Sequence, residues 1–442
     1  MSSLGAILNS AVTSMQASQL GIAIGSNNIS NAQNPEYTRQ RLITAPGASL
    51  ESRISIGSGV DVVRIEALRN RMIESRRLQE TSSQAGADLL HRTLSDIEVQ
   101  FSDTDTSGLM QSLSKFFNSF QTLSTDPASP NFRQQVRTNA QSLMTQFRTL
   151  HDNLANAKTL LDRSIAEKVS TVNSLARQIA HVSGQIADQE TNGPANDLRD
   201  QRAELVKQLS GIVDVNELET DDKFYQLTIG NNRLLVFGTD TAPLGTQEDL
   251  PAMFNSGEIH SAIDARDNYI PRYMDALDEM AYEIVRQVNS KHSAGYDLNG
   301  NKGIDFFQPM GGSADASALM SLSSAVAGSA SKIAASGASD GNDNRVAAQI
   351  GNLLFQPVFT GGSVSDQYRN LVFNVGSDVS NAQLNLNQHE AMARQLELRR
   401  QSMSGVSIDE ETVQILQFQR AYQASARLIK TVDELTQTIL GI

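Results

Sequence analysis

Cysteine and tryptophan are absent from this 442-residue chain, and only 5% of its residues are aromatic. Without cysteine there is neither a disulfide framework nor a thiolate metal site. The core must therefore be mostly aliphatic. No charged side chain occurs before Glu36, yet the opening stretch is interleaved with Ser, Asn and Gln. Its longest apolar cluster, Leu20 to Ile24, is far shorter than a membrane span. That stretch also lacks a basic flank of the Sec type, so any export is expected to use a route that reads no cleavable signal. A basic surface is missing too: the formal net charge of −13 argues against general nucleic-acid binding, because phosphates need a cationic face. No phosphate-loop pattern and no serine or cysteine nucleophile motif occurs. The six histidines, His91, His151, His181, His260, His292 and His389, are scattered without metal-ligand spacing. The chain is expected to be no enzyme and to carry neither cofactor nor metal.

What is present is helical periodicity. Frequent Ala, Gln, Ser and Leu suits long helices better than a β-sandwich. At the start, Met1, Leu4, Leu8, Ala11, Met15 and Ile22 recur at coiled-coil spacing; at the end, Leu428, Val432, Leu435, Ile439 and Ile442 form a second seam. Two unfinished helical seams at the extremities require partners, most simply each other and then neighbouring copies. On its own such a pair is expected to be marginal, gaining order when subunits stack. Arg420, Arg427 and Glu434 recur every seven residues beside the second seam; a solvated stripe and inter-subunit ion pairing both fit.

Between these ends the pattern predicts a mainly α protein. One amphipathic helix over Leu4 to about Ile29 closes at an Asn-rich segment and Pro35. Ile54, Ile56, Val60 and Val62 alternate as a short extended connector, with Gly57 and Gly59 permitting a bend. Helix then runs from Leu68 to Leu209, broken at Asp103–Gly108, at Asp126 to Pro130 and at Asn192-Gly193-Pro194. A hairpin is expected near 224–237, around Gly230-Asn231-Asn232, and a helix from Ile270 to His292. Residues 311–344 read as a small β element or a flexible insertion, with helix resuming at Arg345. The expected organisation is a terminal coiled-coil unit (1–65 and 396–442) and a helical bundle with its hairpin (66–310 and 345–395).

Two motifs invite chemistry and are better read as structure. Asp297-Leu298-Asn299-Gly300-Asn301 begins like a calcium loop, but Lys302 and Gln308 stand where an EF-hand needs Gly and a bidentate Glu. Asp409, Glu410 and Glu411 resemble paired carboxylates, whereas Ser407 three residues before Glu410 has the capping-box spacing of a helix start. Arg69, Arg71, Arg76 and Arg77 read as a solvated helix face.

Several strings together resemble one family, the bacterial flagellar hook-associated protein 1 of the hook–filament junction. NNISNAQNPEYTRQ, Asn27 to Gln40, is similar to the Asn-rich signature of axial flagellar proteins, carried by Asn27, Asn28, Asn31, Pro35 and Tyr37, with Glu36 where a glycine is usual. QFQRAYQASARLIKTVDELTQTIL, Gln417 to Leu440, resembles the C-terminal helix of the same group and includes Tyr422. NDLRDQRAELVKQLS from Asn196, GYDLNGNKGIDFF from Gly295 and SGVSIDEE from Ser404 resemble the interior patterns of this family in particular. The resemblance implies a structural adaptor between hook and filament. Its implied partners are further copies of itself, the hook protein, the second junction protein, and a type III export chaperone at the C-terminal helix. It also implies export by the flagellar type III system through an uncleaved N-terminus to the extracellular flagellum, with an outer β domain small or absent. The rivals are a hook or rod subunit and, from another class, a secreted membrane-active protein exploiting the uncharged first helix.

Overall fold

The computed structural model describes residues 2–34, 36–47, 59–102, 108–191, 193–219, 224–245, 250–339, 343–359 and 361–440. The expected Ile54, Ile56 and Gly57, with Met1, Pro35 and Ile442, lie outside the described residues.

Helix α1 (Ser2–Ser30) leads through the connector 36–39 into an antiparallel ribbon, β1 (Gln40–Pro46) and β2 (Val60–Ala67). α2 (Arg71–Gln100) starts where Asn70 accepts the backbone N–H groups of Met72 and Ile73 at 3.1 and 3.2 Å, an N-cap that sets the helix start. α3 (Leu109–Thr125) inserts Phe116, Phe117 and Phe120 fully into the core. There Phe116 and Phe120 meet Phe306 and Phe307 at ring-centroid distances of 5.5–5.8 Å, so the sparse aromatics are concentrated at one place.

The 60-residue α4 (Pro130–Gln189) begins with Ser129 as cap and proline in the first turn. Its buried positions Leu154, Leu161, Ile165, Val169, Val172, Ile179, Val182 and Ile186 keep the three-and-four spacing visible in the sequence. α5 (Asn196–Ile212) folds back along α4 and α2.

The hairpin expected at 224–237 is β4 (Tyr225–Ile229) with β5 (Arg233–Phe237), but it is the middle of a four-stranded antiparallel sheet. β3 (Val215–Glu219) and the two-residue β6 (Asp240–Thr241) flank it. Gly230 makes the turn in the left-handed region, φ 53, where an added Cβ would lie 2.2 Å from the Met253 carbonyl oxygen. After α6 (Leu250–Met253) and α7 (Glu258–Asp264), a π-helical turn over 265–269 runs into α8 (Ile270–His292).

Residues 311–344 correct the sequence reading. Their described part is not a loose insertion but short helical turns, α9 (Ala316–Leu319), α10 (Ser324–Gly328) and a 3-10 turn at 330–332, with β pairing limited to the isolated bridges of Leu322 to Phe307 and Ser336 to Tyr296. Ala316, Met320, Val326, Ile333, Ala334 and Ala335 are all at most 2% exposed. Small Ala and Ser residues that carry no clear periodicity let this segment lie close against α4 and α8, and packing rather than propensity holds it. α11 (Arg345–Gly351) follows. α12 (Val364–Ser404), opened by a capping box between Ser363 and Asp366, runs along α2, and α13 (Ile408–Leu440) returns along α1.

The contiguous apolar core has no buried member before Leu78 or after Ala382. The terminal helix pair and its ribbon therefore stand outside that core.

Candidate assembly interface and its anchoring knot

The first and last helices pack antiparallel, and their seam is asymmetric in side-chain size. α1 buries Ala11, Ala17, Ser18, Gly21, Gly25 and Asn28, small or polar residues with Ile24 as the one bulky exception. α13 brings Ile415, Phe418, Tyr422, Ser425, Ile429 and Val432, spaced three and four apart. A Cβ on Gly21 would sit 2.6 Å from the Phe418 ring and one on Gly25 2.7 Å from Ile415, so these glycines let the backbones approach. Ser425 bonds Ser14 at 3.2 Å, and Gln19 reaches the Tyr422 hydroxyl at 3.5 Å.

The leucine-rich seam read from the sequence is thus not the one that closes the pair. Of its residues, Val432 is buried, while Leu428, Leu435 and Ile439 are 52%, 49% and 58% exposed. On α1, Ala11 is buried, Leu4, Met15 and Ile22 are half-buried, and Leu8 is 40% exposed. The reason is geometric: a partner helix lined with Gly, Ala and Ser accepts bulky Phe418 and Ile415, and the leucines fall on the neighbouring stripe.

At the far end of the seam the Asn-rich motif becomes a buried polar knot. Asn28, 1% exposed, uses all four hydrogen-bonding positions of its amide. Its Nδ2 donates to the Gln40 carbonyl and to Glu411 Oε2, both at 2.8 Å; its Oδ1 accepts from the Tyr37 hydroxyl at 2.8 Å and the Gln40 N–H at 3.0 Å. Glu411, also 1% exposed, gives its other oxygen to Arg39 Nε at 2.7 Å. Burial, reinforced by the negative charges of Asp197, Asp200 and Glu411, pushes the Tyr37 hydroxyl well above its ordinary range, so it stays a neutral donor. Asn27 and Asn31 sit at the rim, where the Asn31 amide donates to the Asn27 carbonyl and side-chain oxygens, each at 3.0 Å.

Ser407 accepts the Glu410 N–H at 3.5 Å, but the Glu410 carboxylate turns to Arg39 at 2.8 Å instead of completing a reciprocal box. The sequence reading assigned no interface role to Arg39, Gln40, Ile415 or Phe418 and took Glu411 only as part of a helix start. The heptad run Glu411, Ile415, Phe418, Tyr422, Ser425, Ile429 and Val432 was the signal available for most of them.

The family model of the flagellar hook-associated protein FlgK helical domain matches residues 94–252 and 244–307. That of the flagellar basal body rod FlgEFG protein C-terminal region matches 399–442, the helix that supplies the bulky side of the seam. Flagellar hook-associated protein 1 of Bacillus subtilis is 27% identical over 98% of this chain and 97% of its own length. Its Salmonella typhimurium counterpart is 25% identical over 99% and 100%. The chain belongs to the flagellar hook-associated protein 1 family. The flagellar hook junction protein FlgK of Burkholderia pseudomallei has a solved structure that superposes with a TM-score of 0.66 at 13% identity. That match covers 75% of this chain and all of the solved one, and it concerns the fold. The alignments to the two curated relatives span 493 and 554 positions, more than the 442 residues here, so those relatives hold segments that this member of the family lacks.

Elsewhere in this hook-associated protein 1 relative, polar clusters are engaged in structure. Asp297 accepts the N–H groups of Asn299 and Asn301 at 2.8 Å, the Asn301 amide at 3.0 Å and Lys332 at 3.2 Å, which is an Asx turn. His151, Asp278 and Asp315 come close enough together to hold an ion. However, Asp278 already accepts the N–H groups of Ser317 and Asp315, at 2.9 and 3.2 Å, and the Ser317 hydroxyl; it serves the start of α9. Of the arginine cluster, Arg71 and Arg76 are exposed, while Arg69 bonds Asp200 at 2.9 Å and Arg77 is buried. No helix among the described residues is long and apolar enough to cross a membrane.

Proposed function

We propose that this chain is a structural subunit of the bacterial flagellum at the hook–filament junction, an adaptor on which filament assembly proceeds. The observation that carries the reading is the terminal helix pair: closed on one side by Phe418 and Ile415, and still apolar and open on the next stripe at Val413, Leu428, Leu435 and Ile439. A stripe of that kind on a coiled coil is a surface for another helix. Full-length kinship with hook-associated protein 1 supports the same reading.

In this reading residues 1–65 and 396–442 form the axial unit, and residues 66–310 and 345–395 form the helical body. Further copies cover the open stripe, and hook protein and the second junction protein lie on the two sides of the ring. Before assembly an export chaperone holds the C-terminal helix. The chain leaves by the flagellar type III system and functions outside the cell. The match over 399–442 is to a rod-protein region, which keeps a rod or hook subunit as the rival; the helical-domain match over 94–252 and 244–307 favours the junction.

Electron microscopy of cells deleted for the gene decides between them. A junction subunit leaves hooks without filaments and flagellin in the medium. A rod or hook subunit leaves no complete hook, and that outcome would sink the reading.

A further inference from the structure

The terminal unit and the helical body meet through a joint that is polar and poorly filled. Open clefts of about 600 and 470 Å³ border the connector 36–40, and a third of about 620 Å³ lies beside the ribbon. The largest lies between β2 and α2 with α5, the next between the end of α1 and α5, and the smallest between the connector and the 400–410 corner. Protein interiors are normally close-packed, and here the apolar core contributes only Leu78 and Tyr225, at the edge of the largest cleft. Where an interface between units is small and polar, relative motion is the default. The direction in which the helix pair leaves the body must then be set by polar bridges.

Glu36 is the centre of those bridges. Its carboxylate is bound by Arg77 of α2, with N···O distances of 3.0 and 3.1 Å, and by the Lys207 ammonium of α5. Arg77 is in turn held by Glu74 at 3.0 Å and is 7% exposed, so its guanidinium is fixed before Glu36 arrives. Burial by itself would raise the Glu36 carboxyl, but Lys207 and Arg77 outweigh it and hold the group below its usual range. Two residues on, Thr38 donates its N–H and hydroxyl to Asp200 at 3.1 and 2.9 Å, a second tie to α5.

We infer that Glu36, clamped between Arg77 and Lys207, is a positioning residue: it fixes the angle between the terminal helix pair and the helical body, and so the lattice the chain can enter. This rests on the junction reading for its consequence but not for its geometry. A glycine at this position, usual in the resembling signature, could make no such tie.

The absence of cysteine makes the test direct. Full-length chain carrying Ser26→Cys on α1 and Gln141→Cys on α4, both exposed positions, takes spin labels at those two sites and no others. Pulsed electron spin resonance then reads the distribution of distances between them. With Glu36 present one narrow distribution is expected. Glu36→Gln, and independently Lys207→Gln, should each broaden it about twofold. Lys207→Arg, which keeps the cation facing Glu36, should leave it narrow. Far-UV circular dichroism checks that the bundle is intact; Lys207 is partly exposed, so its variant folds even where the Glu36 variant does not. A narrow distribution retained in either Gln variant, or broadening in Lys207→Arg as large as in Lys207→Gln, overturns the clamp. Failure of the narrow-distribution chain to restore filaments in cells would count against the junction reading while leaving the clamp standing.

Discussion

Asn28 and Glu411 stand 383 residues apart in the chain, and their side chains bond at 2.8 Å in a buried site that water does not reach. That single contact joins the end of α1 to the start of α13. Around it Tyr37, Arg39 and Gln40 are ordered with no polar position of the Asn28 amide left over.

Replacing Asn28 with Ala strands the Tyr37 hydroxyl, the Gln40 N–H and one Glu411 oxygen. Each buried orphan costs about 1–3 kcal/mol, so the terminal unit should lose several kcal/mol. Tyr37→Phe removes one donor and should cost about 1 kcal/mol. Hydrogen exchange of the amides in α1 and α13 checks both; protection unchanged in Asn28→Ala would contradict the knot's role.

Gly21→Val should splay the helix pair, because its Cβ already falls 2.6 Å from the Phe418 ring. Overpacking of this kind costs about 1–3 kcal/mol. Phe418→Ala, which costs stability alone, should recover part of the loss when combined with Gly21→Val. A denaturation cycle over the four chains measures the coupling, and strict additivity would place Phe418 elsewhere.

Leu435→Asp and Phe418→Asp separate the two stripes of α13. Leu435 is half exposed, so the isolated chain should keep its stability within about 0.5 kcal/mol while losing motility. Phe418→Asp buries a charge in the closed seam and should unfold the terminal unit itself. Normal swimming of a Leu435→Asp strain would remove the outer stripe from the assembly surface.

The body should weaken in mild acid. His292 is fully buried and neutral, with Nδ1 against the Ile304 carbonyl and Nε2 accepting the Ala334 N–H, each at 2.7 Å. Burial, helped by the Arg133 charge, pushes its pKa down to about 4. The unfolded chain takes up this proton near pH 6.5 and the folded chain does not, so stability is full above 6.5 and falls toward about 4. The slope contributed is about 1.4 kcal/mol per pH unit. Melting temperature against pH reads it, and His292→Gln should flatten this part of the curve.

Long helices with regular apolar spacing were legible because one face of α4 repeats its pattern over many turns and only one packing satisfies it. The break at Pro130 and the turn at Gly230 were legible for local reasons, a missing donor and a left-handed φ. Strand β3 was not, since Val215–Glu219 alternates weakly and forms only by pairing with β4. The 311–344 segment was misread because Ala and Ser report little about burial. In the candidate interface the amount of apolar surface was evident, but its division into a closed and an open stripe was not.

The sequence by itself determined a helical chain with two sticky ends, an Asn-rich stop between helix and ribbon, and a family. These follow from periodicity, backbone stereochemistry and order along the chain, all local properties. Tertiary structure alone decided that Phe418 rather than Leu428 closes the pair, that Asn28 reaches Glu411, and that Glu36 lies between Arg77 and Lys207. Those outcomes depend on which small residue faces which large one, and on buried polar groups finding partners hundreds of positions away; the heptad run of α13 offers Phe418 as a candidate, but no local pattern chooses between the two stripes or pairs Asn28 with Glu411.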